Sequence, residues 1–142
     1  MRDFMQGGFV VYDSVTFGEP QGGSITIQGQ IQCLGGINID VDKKLQIVGG
    51  TDGDTRVTKS DYSYNVSVSG RGNRFRYDGP HDHRPHHHLH RFDQDGRETA
   101  VLEIRNENEV PTLGDVIAEA HDYYYSPEFW QENEQRDNDE GL

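Results

Sequence analysis

The sequence predicts an α+β domain: an antiparallel sheet of about six or seven strands, either open or strongly curled, followed by one main helix near the C-terminus. Apolar residues recur at every second position in several runs separated by glycine, asparagine and aspartate, which is the pattern of half-buried strands. A helical apolar period is clearest after Thr112, where a capping pattern opens it. The runs follow one another through short turns and the helix comes last, so successive strands pair antiparallel. A length of 142 residues suits one modest core rather than two. The expected domain covers residues 1–125, and 126–142 form a partly disordered acidic tail.

Residues 1–8 end in Gly7-Gly8 and are expected to be lightly held. Phe9 to Tyr12 and Val15 to Phe17 are β-prone, interrupted at Asp13-Ser14 and closed by Gly18-Glu19-Pro20. After the Gly22-Gly23 turn, Ile25, Ile27, Ile31 and Cys33 alternate with Gln28, Gln30 and Gln32. Beyond Gly35-Gly36, Ile37, Ile39 and Val41 alternate with Asn38, Asp40 and Asp42. A turn at Asp42-Lys43-Lys44 then leads to Leu45 and Ile47. Residues 49–54 read as an open loop, glycine-rich and acidic but without the ligand spacing of a calcium loop.

Tyr62, Tyr64, Val66 and Val68 face one way and Ser63, Asn65, Ser67 and Ser69 the other. The turn at residues 70–73 reverses the chain into Arg74, Phe75, Arg76 and Tyr77. Pro80 and Pro85 keep regular structure out of the segment between them. After Pro85 an extended chain would place His86, His88, His90 and Phe92 on one face, opposite His87, Leu89 and Arg91. Asp93 to Gly96 form a turn, and Ala100, Leu102 and Ile104 mark the inner face of a last strand. The helix starts at Thr112, with Asp115 completing a capping box and Leu113, Val116, Ile117, Ala120 and Tyr124 as its apolar stripe. Tyr123, Tyr124, Tyr125, Phe129 and Trp130 read first as packing for that helix and otherwise as a surface for another chain.

The net charge is -12, and only three lysines occur. Such a surface repels polyanions at low salt and suits a salt-rich, halophilic cytoplasm, where screening removes self-repulsion. No long apolar run or basic apolar leader is present, so neither a membrane span nor a secretion signal is expected. Cys33, the single cysteine, cannot form an internal disulfide; it reads as a small buried hydrophobe in a reducing compartment. Residues 71–97 depart from the acidic average, with six arginines against four aspartates. A locally cationic face on an acidic body is what an anionic substrate needs.

Six of the seven histidines lie between His81 and His90. Imidazoles there could act as general acid and base on a phosphodiester, with an arginine holding the phosphate. For RNA the attacking group could be its own 2'-hydroxyl, and no metal or other cofactor would be required. The residues for this role are His81, His86 and His87 as the acid–base set, Arg76 on the phosphate, and Tyr77 and Asp78 in support. Alternatively His81 and His83, or His86, His88 and His90, could converge with Asp78 or Asp82 on zinc or another transition ion. A third use is a solvated loop whose rings pair with carboxylates. His121 reads as a charge partner for the helix C-terminus.

The segment Arg76-Tyr77-Asp78-Gly79-Pro80-His81, followed by Pro85-His86-His87-His88, resembles the central signature of the TumE family of toxin–antitoxin proteins. The stretch Pro111 to Ile117 and the paired Tyr62 and Tyr64 are similar to the same family, so the resemblance spans roughly residues 24–120. Arg76, Tyr77, Asp78, Pro80 and His81 match the first block, and Pro85, His86 and His87 the second. This copy is shorter at Gly79, carries Asp82 where a second histidine is common, and has His88 at the usual lysine position. The resemblance implies a small intracellular toxin-like protein, neutralised by a cognate antitoxin and directed at RNA or the translation apparatus. A homodimer is compatible with that reading. The class-level alternative is a non-catalytic or metal-loaded binding module acting through a protein partner.

Overall fold

The computed structural model describes residues 8–18, 23–49, 55–80 and 85–132. Eight strands form one antiparallel sheet: β1 (Val10–Asp13), β2 (Thr16–Phe17), β3 (Ser24–Cys33), β4 (Ile37–Gly49), β5 (Thr55–Val68), β6 (Gly72–Asp78), β7 (His87–Phe92) and β8 (Glu98–Ile104). From β3 to β8 the strands lie side by side in chain order. β1 and β2 both pair with the outer edge of β3. Among the described residues β8 does not close onto β1, so the sheet is open.

The period-two runs set the two faces. Ile31, Cys33, Ile37, Ile39, Val41, Tyr62, Tyr64, Val66, Val68, Phe75 and Leu89 are all buried in one core. Their alternates make a polar face, where Gln28 and Gln30 donate to the carboxylates of Asp42 and Asp40 on the neighbouring strand. Burial pushes the Cys33 thiol up to about 12, which suits a packed hydrophobe rather than a nucleophile.

The expected turn at Asp42-Lys43-Lys44 does not form. Those residues run straight on in β4, opposite Gln28, Ile27 and Thr26 on one side and Ser63, Tyr62 and Asp61 on the other. Two long neighbours offer ladder partners on both edges, and that pairing outweighs the local turn preference.

The longest helix among the described residues, α1 (Leu113–Tyr124), lies against the core face over β4 and β5. The Thr112 hydroxyl accepts from the Asp115 amide at 3.1 Å, and the Asp115 carboxylate accepts from the Thr112 amide at 2.9 Å. Val116, Ile117 and Ala120 point into the sheet. His121 at its last turn packs edge-on against the buried Phe9, with ring centroids 5.2 Å apart.

Ordered packing continues past residue 125. Ser126 accepts from the Phe129 amide at 3.3 Å and Pro127 opens a short helical turn over residues 127–132, seating Phe129 at 0 % exposure. Gly35, at φ +73°, makes that possible: a Cβ there would stand 2.6 Å from the Phe129 ring. No helix among the described residues is long and apolar enough to cross a membrane. Of the expected loop at residues 49–54, Gly49 ends β4 instead; residues 50–54, the N-terminal residues 1–7, the turn residues 19–22, residues 81–84 and the tail beyond Glu132 lie outside the described residues.

Candidate metal centre

β6 and β7 pair Arg76 with His90, Tyr77 with Leu89 and Asp78 with His88. Because successive residues of a strand point to opposite faces, Arg76, Asp78, His88 and His90 share the polar face. Tyr77, Leu89 and His87 fall on the core side. β8 extends the arrangement by placing Val101 opposite His90 and Glu103 opposite His88.

Three side chains converge there. The Asp78 Oδ2 atom lies 3.0 Å from His90 Nε2 and 3.5 Å from His88 Nε2. Each imidazole is held at its other nitrogen. His88 Nδ1 meets the His86 carbonyl oxygen at 3.0 Å, and His90 Nδ1 meets the Glu98 carboxylate in a very short contact. A carbonyl and a carboxylate accept only, so both Nδ1 atoms donate and, in the neutral rings, both Nε2 atoms carry a lone pair toward Asp78.

That convergence is the informative feature. His88 and His90 are 2 % and 6 % exposed, so water does not screen them. His90 Nε2 is buried and makes no hydrogen bond: it is close to the Asp78 oxygen but off the direction a hydrogen bond requires. Two neutral imidazole lone pairs and a carboxylate oxygen facing one another repel; Arg76, 3.0 Å from the same oxygen, offsets the carboxylate but leaves the buried His90 Nε2 lone pair without a donor. A proton on one ring satisfies one pair; a metal ion satisfies all three atoms together. In a tetrahedral zinc site with bonds near 2.1 Å, neighbouring ligand atoms stand about 3.4 Å apart. The two Asp78–imidazole separations, 3.0 and 3.5 Å, bracket that value. The Nδ1 contacts to Glu98 and to a backbone carbonyl are the usual partners of metal-bound histidines, since they fix tautomer and ring direction.

Arg76 stands on the same oxygen, its Nε 3.0 Å from Asp78 Oδ2 and its guanidinium carbon 6.0 Å from the centre of the Phe92 ring. Next to His88 a cavity of about 200 Å³ opens, lined by His86, His88, Val101 and Glu103.

The expected acid–base set is divided by this geometry. Asp78 and Arg76 are in the cluster, and His86 contributes its carbonyl and lines the adjacent cavity. His87 turns away: its ring stacks on Tyr62 and its Nδ1 lies 2.8 Å from the Tyr62 hydroxyl, with Glu107 3.8 Å from Nε2. Tyr77 donates its hydroxyl proton to Glu119 of α1 at 2.6 Å, and burial followed by that carboxylate raises its pKa above the ordinary tyrosine value. His81 lies outside the described residues. The acid–base set left out His88, His90 and Glu98, the first two of which the alternative metal set did name. Extending period two across β7 groups His88 with His90, and the short β7–β8 turn returns Glu98 beside them.

The cationic segment is also partly used up in structure. Arg74, 7 % exposed, donates to the backbone oxygens of Asp93 at 2.7 Å and Gln94 at 3.2 Å and to the Tyr123 hydroxyl at 3.2 Å. Arg71 and Arg74 each lie 3.6 Å from Glu132. Among the described residues, Arg76 is the arginine paired with Asp78 of the cluster. No family model, curated protein or solved structure matches the chain.

Proposed function

We propose that the protein is a metal-loaded binding module holding one divalent transition ion between Asp78, His88 and His90. What supports it is the buried, unbonded His90 Nε2 facing Asp78 while both rings are anchored at Nδ1. Two imidazoles and one carboxylate favour zinc or a neighbouring transition ion, and three protein ligands leave a coordination position for a partner's side chain, water or a substrate. The test is equilibrium dialysis of the chelator-stripped full chain against cobalt(II) or zinc(II). One tightly held equivalent is expected, abolished in His88→Gln and His90→Gln but retained in a His81→Asn/His83→Asn variant. Retention by the first two variants, or binding that disappears with the last, would overturn the assignment.

A toxin-like, RNA-directed role with a cognate antitoxin is the second reading, and Arg76 favours it. A guanidinium next to a Lewis-acidic ion is suited to a phosphodiester, whose charge both would share. In this form the activity is metal-assisted; a metal-independent ribonuclease would instead draw on His81, His86 and His87. Cellular RNA incubated with the metal-loaded protein, with chelator and with His87→Ala separates these: cleavage lost with chelator supports the first form, and cleavage lost only in His87→Ala the second. No cleavage in any arm leaves the binding module. Cytoplasmic location and a homodimer belong to the same reading, checked by fractionation and light scattering.

A further inference from the structure

We infer that Arg76 is the internal cation of the metal-free site and becomes an anion ligand once the metal enters, so that the site takes a divalent ion first and a small oxyanion second. This rests on the metal reading and adds the second ligand and its order of binding. One carboxylate oxygen, Asp78 Oδ2, has three nitrogens around it: His90 Nε2 at 3.0 Å, Arg76 Nε at 3.0 Å and His88 Nε2 at 3.5 Å. The guanidinium is the only permanently charged member, and its pairing with Asp78 offsets the carboxylate while no metal is bound.

A metal bound to the two rings takes its electron pair from that same oxygen. Metal and guanidinium would then compete for one acceptor while repelling each other, and the singly charged, less deeply held group yields. Arg76 has somewhere to go. Its side chain is 33 % exposed, and its guanidinium already lies over the Phe92 ring, 6.0 Å from the centre, a contact it can keep when the Asp78 pairing is released.

Displaced but still tethered, the guanidinium leaves its planar set of donors next to the open metal position. An oxyanion spanning the two meets both charges at once, as a phosphate does between an arginine and a metal. A cavity of about 200 Å³ on the His88 side of the cluster, lined by His86, His88, Val101 and Glu103, has room for a group of phosphate size. Glu103 on its wall is held by Arg105 at 2.7 Å, which offsets its charge toward an incoming anion.

The experiment uses the full chain and two probes, cobalt(II) and inorganic phosphate. Cobalt affinity is read from visible absorption against a competing chelator, and phosphate by calorimetry and by its perturbation of the cobalt spectrum. Wild type without metal should not bind phosphate, whereas cobalt-loaded wild type should. Arg76→Met should bind cobalt about tenfold more tightly, because an internal competitor is gone, and lose phosphate affinity by about tenfold or more. Arg76→Lys should retain part of the phosphate response. If Arg76→Met binds cobalt no more tightly, or binds phosphate like wild type, the inference falls while the metal site stands. Phosphate binding to the metal-free protein would overturn the order. Failure of wild type to bind cobalt would remove both readings.

Discussion

Replacing Glu98 by alanine isolates the anchoring of His90 from metal ligation itself. Glu98 accepts the hydrogen bond of His90 Nδ1 and is not among the three ligand groups facing the proposed ion. Partners of this kind are worth about 10- to 100-fold in metal affinity, through ring orientation and ligand basicity. Its side chain is 44 % exposed, so water can replace the lost acceptor and solvent screens its charge. The effect therefore belongs at the lower end, about tenfold, or about 1.4 kcal/mol of binding free energy for Glu98→Ala. Glu98→Gln keeps an acceptor and loses only the charge, so its loss should be smaller, about threefold. Cobalt(II) titration against a chelator reads both values, with circular dichroism as a control for the fold. Wild-type affinity in Glu98→Ala would refute an anchoring role. Complete loss, as expected for His90→Gln, would refute it in the other direction by making Glu98 a ligand.

Two further outcomes follow from the packing. Phe129→Ala removes a fully buried ring from the cluster of Tyr123, Tyr124 and Trp130, and should cost about 3–5 kcal/mol in urea unfolding; a loss under about 1 kcal/mol would show that the 127–132 turn is not part of the cooperative unit. Alkaline pH should unfold the protein through its buried phenols. Tyr62, Tyr77 and Tyr123 have folded pKa values raised chiefly by burial, so the stability they contribute is fully present below the ordinary tyrosine value of about 10. It is lost as pH rises through their folded values. Phenolate absorbance should then grow together with loss of the near-ultraviolet circular dichroism; ionisation of these tyrosines in a fully native protein would refute the burial argument.

The strand faces and the helix were legible because they depend on one-dimensional periodicity. Tyr62, Tyr64, Val66 and Val68 all go inward as their spacing requires, and Thr112 with Asp115 closes the capping box. What was not legible depended on neighbours in space. Asp42-Lys43-Lys44 looks like a turn until the ladders of β3 and β5 on either side are known. Ser126-Pro127 is a helix-start signal, but its weight comes from Gly35, far away in sequence, leaving room for Phe129. The histidines show the same limit: six rings crowded into ten positions invite the reading that adjacent ones cooperate, whereas the pleat sends His87 and His88 to opposite faces.

Register therefore determines the chemistry of this site. A slip of β7 by one residue against β6 would bring His87 and Leu89 to the polar face and bury His88 and His90 in the core. Leu89, 6 % exposed opposite the partly buried Tyr77, is what makes that slip unfavourable, because it would move an apolar side chain to the polar face and imidazoles into an apolar layer. The core residue between the two histidines thus selects which imidazoles meet Asp78. The candidate metal ligands and the core residue are alternate positions of one short strand, and neither can be altered in register without losing the other.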